Sequence, residues 1–331
     1  MFVFGIRRLV GLLVVIVCVS FVAFCLQSIV PADPARAIAG PMAPPATIEA
    51  IREELGLTDP LAQQYSRFLV RLIQGDLGTS ARTRQPVTSD VVRYLPATLE
   101  LASFALLLGV GLGVVLGILP VIAPSSRVLR SFLIGAASTP ILLSTMALVY
   151  FFWFKLGWFP GSGRLSQPDF SGPTGFILLD ATLVARFDLA GDALKHLLLP
   201  GIALAMPVAI AIGQSLSVTL HDVMLQPYIK AARGRGLGQS MVIFRHALPN
   251  AANAPLAMTG LQARLMFGNL LIVERMFSWP GLGLYVVQSF AAGDLAAILG
   301  VSIVLAIGYL TIATFVEVLQ HISDPRVGPG S

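Results

Sequence analysis

Few side chains in this sequence are suited to covalent or acid–base chemistry. Its 331 residues include four histidines, two cysteines and only three lysines. A phosphate cradle of the form G-x-x-x-x-G-K-[ST] needs a lysine followed by a hydroxyl residue, one to reach the phosphates and one to hold magnesium. Lys155 precedes Leu156, Lys195 precedes His196 and Lys230 precedes Ala231, so no such cradle is encoded. A zinc hydrolase of the H-E-x-x-H type needs Glu directly after His. His196, His221, His246 and His321 are followed instead by Leu197, Asp222, Ala247 and Ile322. A G-x-S-x-G nucleophile elbow is also missing. Cys18 and Cys25 stand seven apart on one face of an apolar run and read as small packing residues. The sequence therefore predicts neither an enzyme nor a metal or cofactor site of its own. Any ATP, with its magnesium, is expected on a partner.

The polar pattern that remains is basic. Residues 222–250 read "DVMLQPYIKAARGRGLGQSMVIFRHALPN", with Lys230, Arg233 and Arg235 inside six residues. A solvated basic loop accounts for the charges but not for the small residues and glycines among them. An RG-rich nucleic-acid segment would need repeats and interleaved aromatics, which are missing. A docking helix accounts for both. Ala231 and Ala232 permit close approach to a groove, and the flanking cations meet an acidic rim. Pro227 suits a first helical turn. Gly236 and Gly238 break the helix, and Ser240 is placed to cap a second one over 241–247, ending at Leu248-Pro249.

The elements that must carry this turn are set by the rest of the composition. Hydrophobic residues make up 56% of the chain and charged residues 12%, with a mean hydropathy of +0.81. A soluble domain carries roughly 25% charge, so much of this chain must meet lipid. The net charge of +5 is spread between apolar blocks and forms no nucleic-acid patch. Apolar runs at about 9–30, 97–122, 131–156, 195–220, 252–276 and 296–320 predict six spanning helices. The first follows Arg7 and Arg8 and resembles a secretory leader, but Val10 to Val30 is long enough to span, and the expectation is a retained helix.

Orientation follows from short basic loops. Arg7, Arg8, Arg127, Arg130, Lys230, Arg233, Arg235, Arg245 and Arg326 all fall on one side of a six-span chain, which predicts cytoplasmic termini. The segment 31–96 holds seven arginines on the other side, but it is too long for the charge rule to bind strongly. Within it, Ala46–Leu57 reads as an amphipathic helix opened by Thr47. Pro60–Ser80 reads as a second, with Leu61, Tyr65, Phe68, Leu69 and Leu72 on one stripe and a stop at Gly75. The segment 157–194 reads as irregular with a short helix near Thr182–Phe187, and 277–294 as a Trp279-Pro-Gly turn followed by a short helix. The expected organisation is a stub and first span (1–30), an extracytoplasmic helical segment (31–96) and a core of the remaining five spans (97–331) containing the turn 222–250.

The spacing Ala231-Ala232-x3-Gly236-x9-His246-Ala247-Leu248-Pro249 resembles the EAA loop of ABC-importer permeases, E-A-A-x3-G-x9-I-x-L-P. Lys230 stands where that pattern has Glu and His246 where it has Ile. Both departures are similar to the dipeptide/oligopeptide/nickel branch. "LGLTDPLAQQY" (55–65), "GDLGTS" (75–80), "LPATLELA" (95–102), "LGWFPGSGR" (156–164), "HLLLPGIALAMP" (196–207), "FSWPGLG" (277–283) and "DPR" (324–326) resemble the same family in the same order, over nearly the whole chain.

The resemblance implies an all-α polytopic permease of the type I importer fold with six transmembrane helices, short amphipathic outer helices and a cytoplasmic coupling helix. It implies the bacterial inner membrane, a second homologous permease subunit, two ATPase subunits (or one fused), and an extracytoplasmic binding protein that delivers di- or oligopeptides. Nickel or another small solute is the alternative cargo; an ion-coupled carrier or channel is the alternative class, disfavoured because the spans lack an acidic or histidine relay. The coupling residues implied are Tyr228, Lys230, Ala231, Ala232, Arg233, Arg235, Gly236, His246, Leu248 and Pro249. In the fifth span Gln262, Arg264 and Asn269 are candidates for the translocation path or a subunit interface. A charge there costs about 2.5–3.5 kcal/mol on insertion scales, so Arg264 either meets a carboxylate or snorkels to a structural partner. His196, at the end of the fourth span, reads as a packing residue.

Overall fold

The computed structural model describes residues 2–29, 34–40, 42–54, 56–122, 139–167, 170 and 172–323. Among these the chain is helical, and the only β pairing is an isolated antiparallel bridge between Thr79 and Pro86. In order come α1 (Phe2–Ile29), α2 (Pro34–Ala39), α3 (Pro45–Glu54), α4 (Leu61–Ile73), α5 (Val87–Ile122) and α6 (Ile141–Leu148), which continues as a π-helix over Val149–Lys155. There follow α7 (Ile177–Leu183), α8 (Phe187–Met224), α9 (Pro227–Gly234) and α10 (Gln239–Met241), the last extended by a π turn (Val242–Ala247) and a final α turn (Leu248–Ala251). The chain closes with α11 (Asn253–Met276), α12 (Leu282–Ala291) and α13 (Leu295–Ser323).

Four helices among the described residues are long and apolar enough to cross a bilayer: Val87–Ile122, Phe187–Met224, Asn253–Met276 and Leu295–Phe315. The predicted first span falls on α1, where Leu13–Val22 is a shorter apolar helix. The predicted third is described from residue 139 onward, as the helix and π-helix of Ile141–Lys155. The basic pair Arg127 and Arg130 and the terminal "DPR" lie outside the described residues. Helix ends run past the apolar runs: α5 begins ten residues before the predicted 97, because hydrogen bonding continues through the polar turns around Asp90 after hydropathy has stopped signalling. Helix α4 stops at Ile73, with Gly75 at a φ of +79°. The predicted short helix near 182–187 lies earlier, at α7, and by Phe187 the long helix α8 has already started.

Contacts divide the chain into two compact units, one of residues 1–96 with 280–310, the other of 97–279 with 311–331. In the first unit, Tyr65 of α4 packs on Phe21 and Phe24 of α1, and its hydroxyl shares a 3.1 Å hydrogen bond with Ser20. A core of Val87, Val91, Leu282, Tyr285, Ala297 and Val301 joins the start of α5 to α12 and α13.

In the second unit α8 is the mostly buried member, while the apolar windows of α5 and α11 stay largely exposed, as surfaces facing lipid do. Glycines let α5 lie close on α8. A Cβ at Gly109, Gly113 or Gly117 would come within 2.8, 2.8 and 2.7 Å of Val208, Ile212 and Leu216 in turn. Gly213 of α8 answers with a Cβ position 2.9 Å from Leu116. Small residues one turn apart are how helices pack when no water-driven force presses them together. One core of this unit gathers Leu101, Leu197, Leu204, Met266, Leu270, Phe277 and Trp279; another gathers Leu216, Leu220, Met224, Ile229, Val242, Ile243 and Ala247.

Candidate functional site

The turn 222–250 is built by local chemistry. Gln226 is extended (φ −66°, ψ 147°), and Pro227 takes the first helical position, where its missing N–H costs nothing. Helix α9 ends at Gly234 with Arg235 as its cap, and the next residue, Gly236, has a φ of +81°, the left-handed geometry that glycine adopts without a Cβ penalty. The Gly236 N–H donates to the Arg233 carbonyl at 2.9 Å. A Cβ at Gly236 would meet nothing within 4 Å, so glycine is needed there for backbone geometry alone.

The second arm differs from the sequence expectation. Gly238, in extended geometry, precedes the helix, with no side-chain cap from Ser240. The helix passes through Leu248-Pro249 to Ala251, because a π turn over Val242–Ala247 leaves Pro249 in the first positions of a new α turn, where it needs no hydrogen bond. Thr219 of α8 donates to the Ala251 carbonyl at 3.1 Å and ties the arm to its base.

Of the residues marked by the spacing, Ala232 and Ala247 turn inward, joining Ile229, Val242 and Ile243 in a core with Leu216, Leu220 and Met224. Ala231 faces outward, so the alanine pair is split between the two sides. Tyr228, Lys230, Arg233, Arg235, Gly236 and Pro249 are exposed, and His246 and Leu248 half-buried. The four cations Lys230, Arg233, Arg235 and Arg245 make no ion pair among the described residues.

The second candidate group is not brought together. Along α11, Ala254, Ala257, Leu261, Leu265, Gly268 and Ile272 form one exposed stripe. Gln262 and Asn269, two turns apart, share one edge of it, and Arg264 lies at the other. Arg264 donates from Nε to the Gly260 carbonyl at 3.2 Å.

Two polar knots show where other sequence motifs act. In the second unit Arg164 pairs with Glu100, both nearly buried, and also donates to the Gly175 carbonyl at 3.0 Å. The other Glu100 oxygen accepts from the Leu178 N–H at 2.7 Å. The Arg164 guanidinium lies 5.5 Å from the Trp279 ring, and the Trp279 indole N–H donates to the Ala97 carbonyl at 2.9 Å. Three stretches, 95–102, 156–164 and 277–279, thus meet in one buried cluster. Nearby, buried Glu274 accepts from Thr98 at 2.8 Å.

In the first unit Asp294 accepts from the Ser80 hydroxyl at 2.5 Å and the Arg82 N–H at 3.2 Å, which binds the end of "GDLGTS" to the elbow between α12 and α13. Asp90 accepts from Thr83 at 2.5 Å and from the Tyr285 hydroxyl at 2.7 Å. Burial, and after it the Asp90 hydrogen bond and charge, push the Tyr285 phenol well above the ordinary tyrosine range. Sequence alone marks these motifs but not their pairing, since Ser80 and Asp294 are 214 residues apart. His196 packs as a buried residue, its Nδ1 2.9 Å from the Asp192 carbonyl.

Residues 100–329 match the family described as binding-protein-dependent transport system inner membrane component, and residues 1–102 match its N-terminal region. The chain belongs to this family. Among relatives of the transport-system component, the probable D,D-dipeptide transport system permease protein DdpB of Escherichia coli is 35% identical, with 98% of this chain and 97% of that protein covered. The dipeptide transport system permease protein DppB of Alkalihalophilus pseudofirmus is also 35% identical, over 99% of each. The glutathione transport system permease protein GsiC of Pectobacterium atrosepticum is 29% identical over 97% of each. Among solved structures, an inward-facing MetNI methionine ABC transporter aligns with a TM-score of 0.50 at 17% identity, covering 72% of this chain and 95% of that one. That likeness is one of fold. As a member of this family, the chain is a membrane permease subunit.

Proposed function

We propose that this permease is one of two homologous transmembrane subunits of an ATP-driven importer for di- or oligopeptides in a bacterial inner membrane. Six helices cross the bilayer, α1 and the α6 segment joining the four long ones, with both termini in the cytoplasm. An extracytoplasmic binding protein delivers the peptide to the outer segments 31–96, 157–194 and 277–294. Two ATPase subunits, or one fused, bind ATP and magnesium beneath. The peptide class rests on the dipeptide-system relatives, which are related over almost their whole length.

The coupling role rests on one observation: the turn 222–250 exposes four cations that make no ion pair among the described residues and leaves α9 through a left-handed Gly236 with open space around it. Closure of the ATPase dimer would push this turn and rock the helices between outward- and inward-facing arrangements. Gln262, Arg264 and Asn269, at the edges of the exposed α11 stripe, would meet the path or the second permease.

Reconstitution with the co-encoded subunits provides the test. Gly236→Trp should leave insertion intact and uncouple ATP hydrolysis from peptide uptake. Normal uptake by that variant would remove the coupling role, and a binding protein that retains no peptide would remove the cargo assignment.

A further inference from the structure

Exposed apolar side chains on the long helices are accounted for by lipid. Those in the turn 222–250 are not, because the turn lies between two span ends on the basic side of the chain. There Tyr228 is 44% exposed, Met241 48% and Phe244 57%. Exposed aromatic and thioether side chains in one turn with four exposed cations are the composition of a protein interface: an apolar centre with a charged rim.

The π turn explains how the second arm presents them. It opens one turn of the helix to i→i+5 bonding across Val242–Ala247. Val242 and Ala247 both reach the core as a result, and Phe244 and Arg245 are left outside. Such single π turns recur at functional sites. Both arms bury their inner faces in one core with Leu216, Leu220 and Met224 of α8, and their outer faces stay exposed. Tyr228, Ala231 and the basic residues come from the first arm, Met241, Phe244 and Arg245 from the second.

We propose that the ATPase-receiving surface has two arms, with Phe244 and Met241 as apolar anchors alongside Tyr228, and that its occupant is an apolar groove of the ATPase subunit rimmed by carboxylates. The inference rests on the coupling reading and extends it. The family spacing fixes Ala231, Gly236, Leu248 and Pro249, and positions 241 and 244 fall inside its unspecified x9 stretch. An acidic rim would complement the four exposed cations Lys230, Arg233, Arg235 and Arg245, which make no ion pair among the described residues. Ala232 is reassigned: buried against α8, it brings the first arm close to its base instead of touching the partner.

The test uses the whole importer, co-expressed with an affinity tag on this permease and purified in detergent. Phe244→Ala and Met241→Ala are compared with Tyr228→Ala, and with Phe151→Ala on the exposed face of the π-helix as a control. Monodispersity of the permease on gel filtration reports folding, and recovery of ATPase subunits with peptide-stimulated ATP hydrolysis reports docking. Loss of a central aromatic anchor should lower ATPase recovery about tenfold or more, so Phe244→Ala and Tyr228→Ala should both fall that far while Phe151→Ala matches the parent. If Tyr228→Ala falls and neither Phe244→Ala nor Met241→Ala does, the second arm is not an anchor and the single-arm coupling reading survives. If no turn variant changes recovery or hydrolysis, the coupling reading and this inference fail together.

Discussion

The loop from Gly75 to Asp90 and the turn from Asp222 to Asn250 look alike in sequence. Both are glycine-punctuated and carry arginines, and both resemble family signatures. Their polar groups point in opposite senses. In the first, Asp76 accepts from the Gly78 N–H at 2.8 Å, Asp294 from Ser80, and Asp90 from Thr83 and Tyr285, so the hydrogen bonds close within one unit. In the second, the cations stay in solvent and only apolar side chains turn inward. A signature of the first kind specifies a fold. One of the second kind specifies a partner, and burial tells them apart where sequence pattern does not.

The contrast can be broken most severely at the buried ion pair. Glu100→Ala strands Arg164 beneath the 156–179 segment, and losing one member of a buried pair costs about 3–5 kcal/mol. Thermal unfolding in detergent should show a collapse in folded fraction, partly relieved in Glu100→Ala/Arg164→Met. Next comes Gly113→Ala, whose new methyl would meet Ile212 and the Ala209 carbonyl. Overpacking of this kind costs about 1–3 kcal/mol, read as a lower melting temperature.

Tyr285→Phe removes the hydrogen bond to Asp90 and should cost about 1 kcal/mol. It also alters the response to alkali. The folded-state phenol titrates above the unfolded one, so its contribution is whole below a pH of about 10 and is lost as pH rises beyond that. The parent should therefore lose stability in that window more steeply than the Phe variant. Smallest in stability is the paired change Arg233→Ala/Arg235→Ala, expected to shift unfolding by less than about 0.5 kcal/mol because both side chains are exposed. Its effect should appear in ATPase association, as weaker and less salt-sensitive binding. A large loss of stability there would mean that the turn, like the Gly75–Asp90 loop, serves the fold.

Much of the scaffold was legible in the sequence, since runs of twenty apolar residues admit few alternatives. The first arm of the turn 222–250 was legible for a similar reason: proline at a helix start and glycine past its end act through local backbone geometry. Pairings across long separations were not. Nothing near Glu100 names Arg164, and nothing near Ser80 names Asp294. Helix ends were misplaced where polar turns extend a helix beyond the lipid-like stretch. The π turn over Val242–Ala247 left no sequence signal, so the outward placement of Phe244 emerged only with the coordinates. The alanine pair misled in part, because adjacent residues on a helix point in different directions.

The glycines at 109, 113 and 117 set more than the spacing of α5 and α8. Three side chains of α8 sit in three successive notches of α5, each one turn from the next, like gear teeth with a single pitch. Partial sliding would drive every tooth onto a ridge at once. These two helices must therefore travel as one stiff lever, and the bending that any transport stroke requires is displaced to joints elsewhere in the chain.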